Sequence, residues 1–413
     1  MNSESDPVLE PAPPEAPPSA KLPIEVGWVL AGNLDAVDRD AARKARALML
    51  TRLREDFPEF DWQMPVLLRK ELGLQERVEP VTLIDHGVVE RDAQRWDFAL
   101  IVTGADLESY YKPFALGAPS QAVGVAALST ARIDPAATRS GADSGERTEV
   151  MARRLLALAL HLFGHLNDLP HSDDPADVMY DLRTPEDLDR MTDFSEDDLA
   201  LLTSELHADA DLRLEETGHY RGKAFLFYLR AVLQNRLGIL KATLGIHPWE
   251  FPFRFSRLTT AAASTMLILV ITAEAWDLGM SQPPLFVLAI SLSALVGTCV
   301  FIIKRQRLLV RRRAHRLSEQ RVVANTSVVL AVAAGMATMY AMLFVVTLFL
   351  SQTFFSDHLI EGWAASLDGN IRPHHFFVLA GFVASLGIII GALGASFEEQ
   401  GYFRHVAYVD EET

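Results

Sequence analysis

Four long apolar runs, at 258–276, 284–303, 327–350 and 376–396, constrain this 413-residue chain more than any other feature in it. Each approaches the ~20 residues that a helix needs to cross bilayer hydrocarbon. In lipid, a helix satisfies all of its own backbone groups, whereas an open strand or loop does not. The chain therefore divides in two. Residues 1–257 hold 43 Asp and Glu against 28 Lys and Arg, whereas residues 258–413 hold 11 against 10. The first part reads as an acidic soluble domain and the second as an all-α region of four transmembrane helices, with the lipid bilayer as its partner. Nucleic acid is excluded as a partner, because phosphate contacts require clustered positive charge.

The connections between the runs carry uneven charge. Residues 304–321, KRQRLLVRRRAHRLSEQR, hold eight Lys and Arg against the single acid Glu319, while 277–283 hold none and 351–375 only Arg372. Positive loops stay on the cytoplasmic side, so the basic loop is expected in the cytoplasm, facing anionic lipid. Counting crossings places the amino-terminal domain and the tail at 397–413 there too. Residues 1–21 are Pro-rich with neither a basic n-region nor an apolar h-region, which predicts a disordered tail and no secretory signal. The lone cysteine, Cys299, allows no intrachain disulfide. Residues 216–257 predict a helical juxtamembrane connector. It ends in HPWEFPFRFSRL, whose Trp249, Phe251, Phe253 and Phe255, with Arg254 and Arg257, suit the headgroup level. Glu274 can reach the interface from the end of the first run. The small residues of GALGA in the last run permit close helix contact, including a homo-oligomer through the transmembrane helices.

In the acidic part, Ile24, Val26, Trp28 and Leu30 alternate with the period of a half-buried strand, and Phe60, Trp62, Met64 and Val66 do so again. Val37, Ala41, Ala45, Leu48, Met49 and Leu53 form the stripe of a helix capped by Asn33 or Asp35. DFALIVTG at 97–104 and GVAALST at 124–130 read as buried strands. Asp143 with Glu146 suits the start of a helix through Leu155, and Ser195 with Asp198 the start of another carrying Leu199, Leu202 and Leu206. On the first of these helices, His161 and His165 are four apart, so both imidazoles project from one face toward a single ion. His171 follows six residues later, which suits a chain that leaves its helix and turns back. Three imidazoles with a fourth tetrahedral position open make the donor set of a zinc site.

The stretch HLFGHLNDLPHSDDPADVMY at 161–180 resembles the metzincin clan of zinc peptidases, whose pattern is H-E-x-x-H-x-x-G-x-x-H followed by a methionine turn. The motif is archaemetzincin-like, and HSDDPADVMY is similar to the corresponding run of matrix metalloproteinases. The resemblance implies an α+β zincin domain over 22–215, Zn2+ as cofactor, His161, His165 and His171 as ligands, and Met179 in the turn beneath the metal. Two positions depart from the pattern. Leu162 stands where the family has its general-base glutamate, and Asp168 where it has a chain-turning glycine. Asp is among the residues that tolerate a left-handed backbone. Leu162 also continues the helical row of Leu155, Leu158 and Leu166, a core position. In the implied fold its side chain would lie beside the metal. Glu149, twelve residues before His161, is about 18 Å away along the helix and too far to substitute. GVAALST is the strand to compare with the family's substrate-pairing strand. Tyr180 sits one place from a tyrosine that some metzincins use as an extra ligand and receives no such role. Asp173 and Asp174 read as a solvated loop, and His207 and His219 as surface or packing residues.

Three functions fit these features. The first is a membrane-anchored zinc metallopeptidase lacking its usual general base, a group worth roughly two to four powers of ten in rate. The second is a zinc-binding pseudoenzyme that recognises a peptide or protein partner at the membrane. The third is a structural membrane protein with a structural zinc site.

Overall fold

The structure, a computed structural model, describes residues 21–32, 34–72, 75–110, 112–135, 144–209, 224–309, 319–367, 370–396 and 404. The tail at 1–20, Asn33, Asp143, His219, the middle of the basic loop at 310–318 and nearly all of 397–413 lie outside the described residues.

The amino-terminal part is a mixed α/β domain. Strand β1 (Leu22–Ala31) leads into helix α1 (Ala36–Asp56), followed by β2 (Phe60–Gln63) and β3 (Val66–Arg69). Asp35 caps α1: its side chain accepts from the Asp38 backbone at 2.7 Å, and Asp38 returns the bond at 3.1 Å. The alternating run from Phe60 is two strands rather than one. Pro65 separates them, having no N–H for a ladder, and its carbonyl accepts from Trp28. Then come β4 (Arg77–Val78), α2 (Pro80–Gln94), β5 (Phe98–Thr103), β6 (Asp106–Leu107), β7 (Gly117–Ser120) and β8 (Val125–Ser129). The main sheet runs β2-β1-β5-β8-β7 with β3 also beside β1, and it is parallel except for the last pair. Helix α3 (Ser144–Leu166) and α4 (Glu196–Asp209) complete the domain. Ser195 caps α4, donating to Asp198 at 2.6 Å and accepting from its backbone at 3.1 Å.

Period-2 alternation gives each sheet face its own core. Ile24, Val26, Trp28 and Leu30 of β1 point to the side covered by α1 and α3. Val29 and Ala31 point to the side covered by α2.

After α5 (Ala224–Gln234), α6 (Arg236–Gly245) and the short α7 (Phe251–Arg254) come α8 (Ser256–Val270), α9 (Ala273–Met280), α10 (Pro284–Arg305), α11 (Glu319–Thr353), α12 (Asp357–Trp363) and α13 (Pro373–Ala395). Among the described residues, α10, α11 and α13 are long and apolar enough to cross a membrane, and α8 with α9 makes a fourth span only if the pair counts as one. That pair is where the structure departs from the run at 258–276. The chain bends by 88° between them. The bend buries Trp276, whose Nε1 donates to the Val270 carbonyl at 2.8 Å. Its ring meets Phe355 and Trp363 at 5.2 and 5.7 Å between centroids. Glu274 is exposed in the first turn of α9.

Small residues of α13 are used within the chain. A Cβ on Gly391 would lie 2.9 Å from the Ala262 Cβ, and one on Gly394 2.7 Å from that of Ala261, so these glycines seat α13 on α8. The same end of the bundle meets the amino-terminal α/β domain. Arg321, in the first turn of α11, donates to Asp92 of α2 at 2.6 Å, and Arg404, beyond α13, pairs with Asp85 of α2.

Candidate metal centre

Helix α3 is fixed before its histidines are reached. Leu155, Leu158 and Phe163 are fully buried against the sheet. Arg154 is nine-tenths buried and clamps the helix sideways. It donates to Asp189 at 2.8 and 2.6 Å and to the Ile133 carbonyl at 3.1 Å. Charge-assisted, forked bonds of this kind set orientation as well as energy.

At the far end of α3 the imidazoles converge. His165 Nε2 lies 3.2 Å from His161 Nε2 and 3.1 Å from His171 Nε2. A zinc ion with Zn–N bonds of about 2.0–2.1 Å requires tetrahedral nitrogens about 3.3 Å apart. The spacing therefore fits zinc. The proton placement fits as well. His161 Nδ1 lies 2.7 Å from the Val178 carbonyl oxygen, which can only accept, so Nδ1 carries the hydrogen and Nε2 is the ring nitrogen left to face the cluster. Exposure is graded: His161 is buried, His165 half-buried and His171 exposed. Among the described residues, no aspartate, glutamate or cysteine joins this group.

The turn between the second and third histidines depends on Asp168, which has φ 65° and takes the left-handed conformation expected of it. Its carboxylate pairs with Lys241 of α6, and that pairing raises the Lys241 pKa. The helix ends as Leu169 donates to the Gly164 carbonyl at 3.1 Å. Ser172 then donates to the Met179 carbonyl at 2.8 Å, and Asp177 Oδ1 accepts from the Met179 backbone at 2.9 Å. Together these bonds form a tight methionine-bearing turn. The Met179 sulfur would lie 2.3 Å from a Cβ on Gly164, so any larger residue at this helix position would displace the buried methionine. Burial pushes the Asp177 carboxyl up, and neighbouring Asp198 pushes it further.

Leu162 is fully buried, and its Cδ1 would lie 2.6 Å from a Cβ on Gly117. The side chain thus fills the gap that the glycine leaves in β7. GVAALST is an interior strand rather than an open edge. β8 is hydrogen-bonded on both edges, by β5 and by antiparallel β7, so its backbone is not open to a peptide. β7 ends the sheet. Glu149 is on the surface, paired with Lys44. Asp173 and Asp174 are exposed, Tyr180 bridges to Ser172, and His207 packs 4.8 Å from the Phe60 ring. Sequence reasoning missed Gly164, Gly117, the Val178 carbonyl and Lys241. A glycine inside a helix otherwise rich in leucine was the one available signal, for Gly164.

No family model matches the chain, and no curated protein matches it. Solved structures do. A zinc-dependent peptidase from Methanocorpusculum labreanum is 18% identical, with 43% of this chain and 99% of that one covered at a TM-score of 0.33. Archaemetzincin from Methanopyrus kandleri is 19% identical over 45% of this chain and 96% of its own, also at 0.33. Archaemetzincin from Archaeoglobus fulgidus, complexed with malonate, is 19% identical over 43% and 99%, at 0.31.

Proposed function

We propose that this chain is a membrane-anchored zinc protein of metzincin-like metallopeptidase type. His161, His165 and His171 would hold the ion, with Met179 in the turn below. The convergence of three imidazoles, with His165 Nε2 3.2 and 3.1 Å from the Nε2 atoms of His161 and His171 and His161 oriented by a backbone carbonyl, carries this reading. Zinc bound there would supply a Lewis acid for a peptide carbonyl. The chain's own part is to orient the imidazoles and leave the exposed His171 side open to a peptide. The domain spans 22–215, the connector 216–257 and the membrane region 258–396, with both termini cytoplasmic. Supporting this topology, the ion pairs of Arg321 and Arg404 bring the start of α11 and the chain beyond α13 to one domain, on one side of the bundle.

A second reading is a zinc-binding pseudoenzyme that captures a peptide or protein partner without cutting it. The packing of Leu162 into β7 favours it, because an apolar side chain fills the position that resembles the family's base. Purified full-length protein should contain about one zinc, lost in His165→Ala. Turnover and capture of a mixed peptide library separate the readings. Zinc-dependent cleavage by wild type, absent in His165→Ala, carries the peptidase reading. Capture without cleavage carries the pseudoenzyme. A zinc-free wild-type protein overturns both.

A further inference from the structure

The connector between the soluble domain and α8 has an apolar face that the other described residues leave uncovered. In α5, Leu226, Leu229 and Leu233 recur at helical spacing, and in α6, Leu237, Leu240 and Leu244 do the same, so each set lines one face. All six are exposed, Leu237 by 74% and Leu233 by 62%. The opposite face is occupied. Phe227 and Ala231 pack with Val322 of α11, and Thr243 Oγ1 and the Ile239 carbonyl are bonded to Ser327. A contiguous exposed row of this size on a soluble surface marks an interaction site.

Position along α11 identifies the occupant. α11 begins with charged Glu319 and Arg321, both engaged with neighbouring elements, and presents Val329 and Leu330 outward two to three turns later. That change marks the passage from headgroups to hydrocarbon, and α6 lies beside it at Ser327. The exposed row continues through Trp249 and Phe253 toward the outward-facing Leu267 and Ile268 of α8. Arg230 and Arg236 are exposed on the same two helices and can extend to phosphates while their stems lie along the apolar surface. An amphipathic element with leucines on one side, basic residues interspersed and an aromatic end is the pattern of a helix lying in the membrane interface.

We propose that α5 and α6 form an interfacial arm. Its leucine row inserts at the headgroup–acyl boundary on the soluble domain's side of the bilayer, and the Lys241–Asp168 ion pair holds the loop between His165 and His171 at that surface. This rests on the membrane reading of the apolar helices and not on zinc binding or catalysis.

The test is nitroxide depth measurement on the full-length protein in phosphatidylcholine–phosphatidylglycerol vesicles, in a Cys299→Ala background. Single labels go on Leu237→Cys and Leu240→Cys, with Ile268→Cys as the lipid-facing reference and Leu201→Cys, exposed on α4, as the aqueous one. The arm predicts oxygen over chelated-nickel accessibility several-fold above Leu201→Cys and approaching Ile268→Cys. Accessibility equal to that of Leu201→Cys overturns it. So does spin–spin broadening that disappears on dilution with unlabelled protein, which would make a second copy the occupant. A water-accessible Ile268→Cys label would instead show that the membrane reading itself has failed. For the ion pair, a label on Asp173→Cys is relaxed by nickel chelated to lipid headgroups. Adding Lys241→Ala should weaken that relaxation at least several-fold, and an unchanged signal removes the holding role.

Discussion

The two faces of the main sheet meet different neighbours. On the face of α1 and α3, the side chains of Trp28, Leu100, Leu128 and Leu158 close a core that belongs to the amino-terminal α/β domain alone and ends at the histidines. On the face of α2, the core of Val29, Ile101 and Val125 does not close. It continues through Phe251, Phe255 and Leu258 into the helices α8, α11 and α13. One sheet thus supports a self-contained site on one side and serves as a docking plate for the bundle on the other. A core that stays within the domain allows the site to be perturbed alone, whereas damage on the other face spreads to both parts.

Four substitutions test this contrast. His165→Ala has the largest expected effect, a fall from about one zinc to none by metal analysis, with the exchange protection of α10 and α13 unchanged. Phe251→Ala empties the joint above Gly335 and should cost about 3–5 kcal/mol. Its hydrogen-exchange signature is lost protection in both α2 and α11. Leu158→Ala removes a fully buried side chain from the closed face and should cost about 2–5 kcal/mol, with protection lost in α1, α3 and β5 but not in α11. Arg321→Ala is the mildest, at roughly 1.5–3 kcal/mol for a lost charge-assisted bond. Burial opposes ionisation of its partner Asp92, yet Arg91 and Arg321 outweigh it and hold the carboxyl below its usual 3.8. The contact therefore contributes fully above that pH and is lost as pH falls through the depressed value. Acid titration of wild type should release α11 protection below the ordinary carboxylate range, and Arg321→Ala should flatten that step.

Much of the closed face was legible from periodicity. β1 and α1 follow apolar repeats of 2 and 3.6, β5 and β8 are continuous apolar runs, and the histidine spacing placed three ligand atoms that do meet. The rest was hidden for identifiable reasons. α2 carries a buried arginine in its stripe, Arg91, which donates to the Val123 carbonyl, so its apolar face looks interrupted. β7 reads GAPS, with no β-branched or aromatic residue to announce a strand. The bend between α8 and α9 falls within a run that is apolar on both sides, and hydropathy does not register direction. The ion pair of Lys241 with Asp168 joins residues far apart in sequence, and no local pattern encodes it.

The graded exposure of the three histidines sets an order in time as well as a geometry. His161 is fully buried and held by the Val178 carbonyl, while His171 is exposed on a loop. An ion held there would meet solvent on the His171 side. A chelator would reach a bound ion from the His171 side first, so the loop would govern the rate of metal exchange and the helix the depth of the equilibrium well.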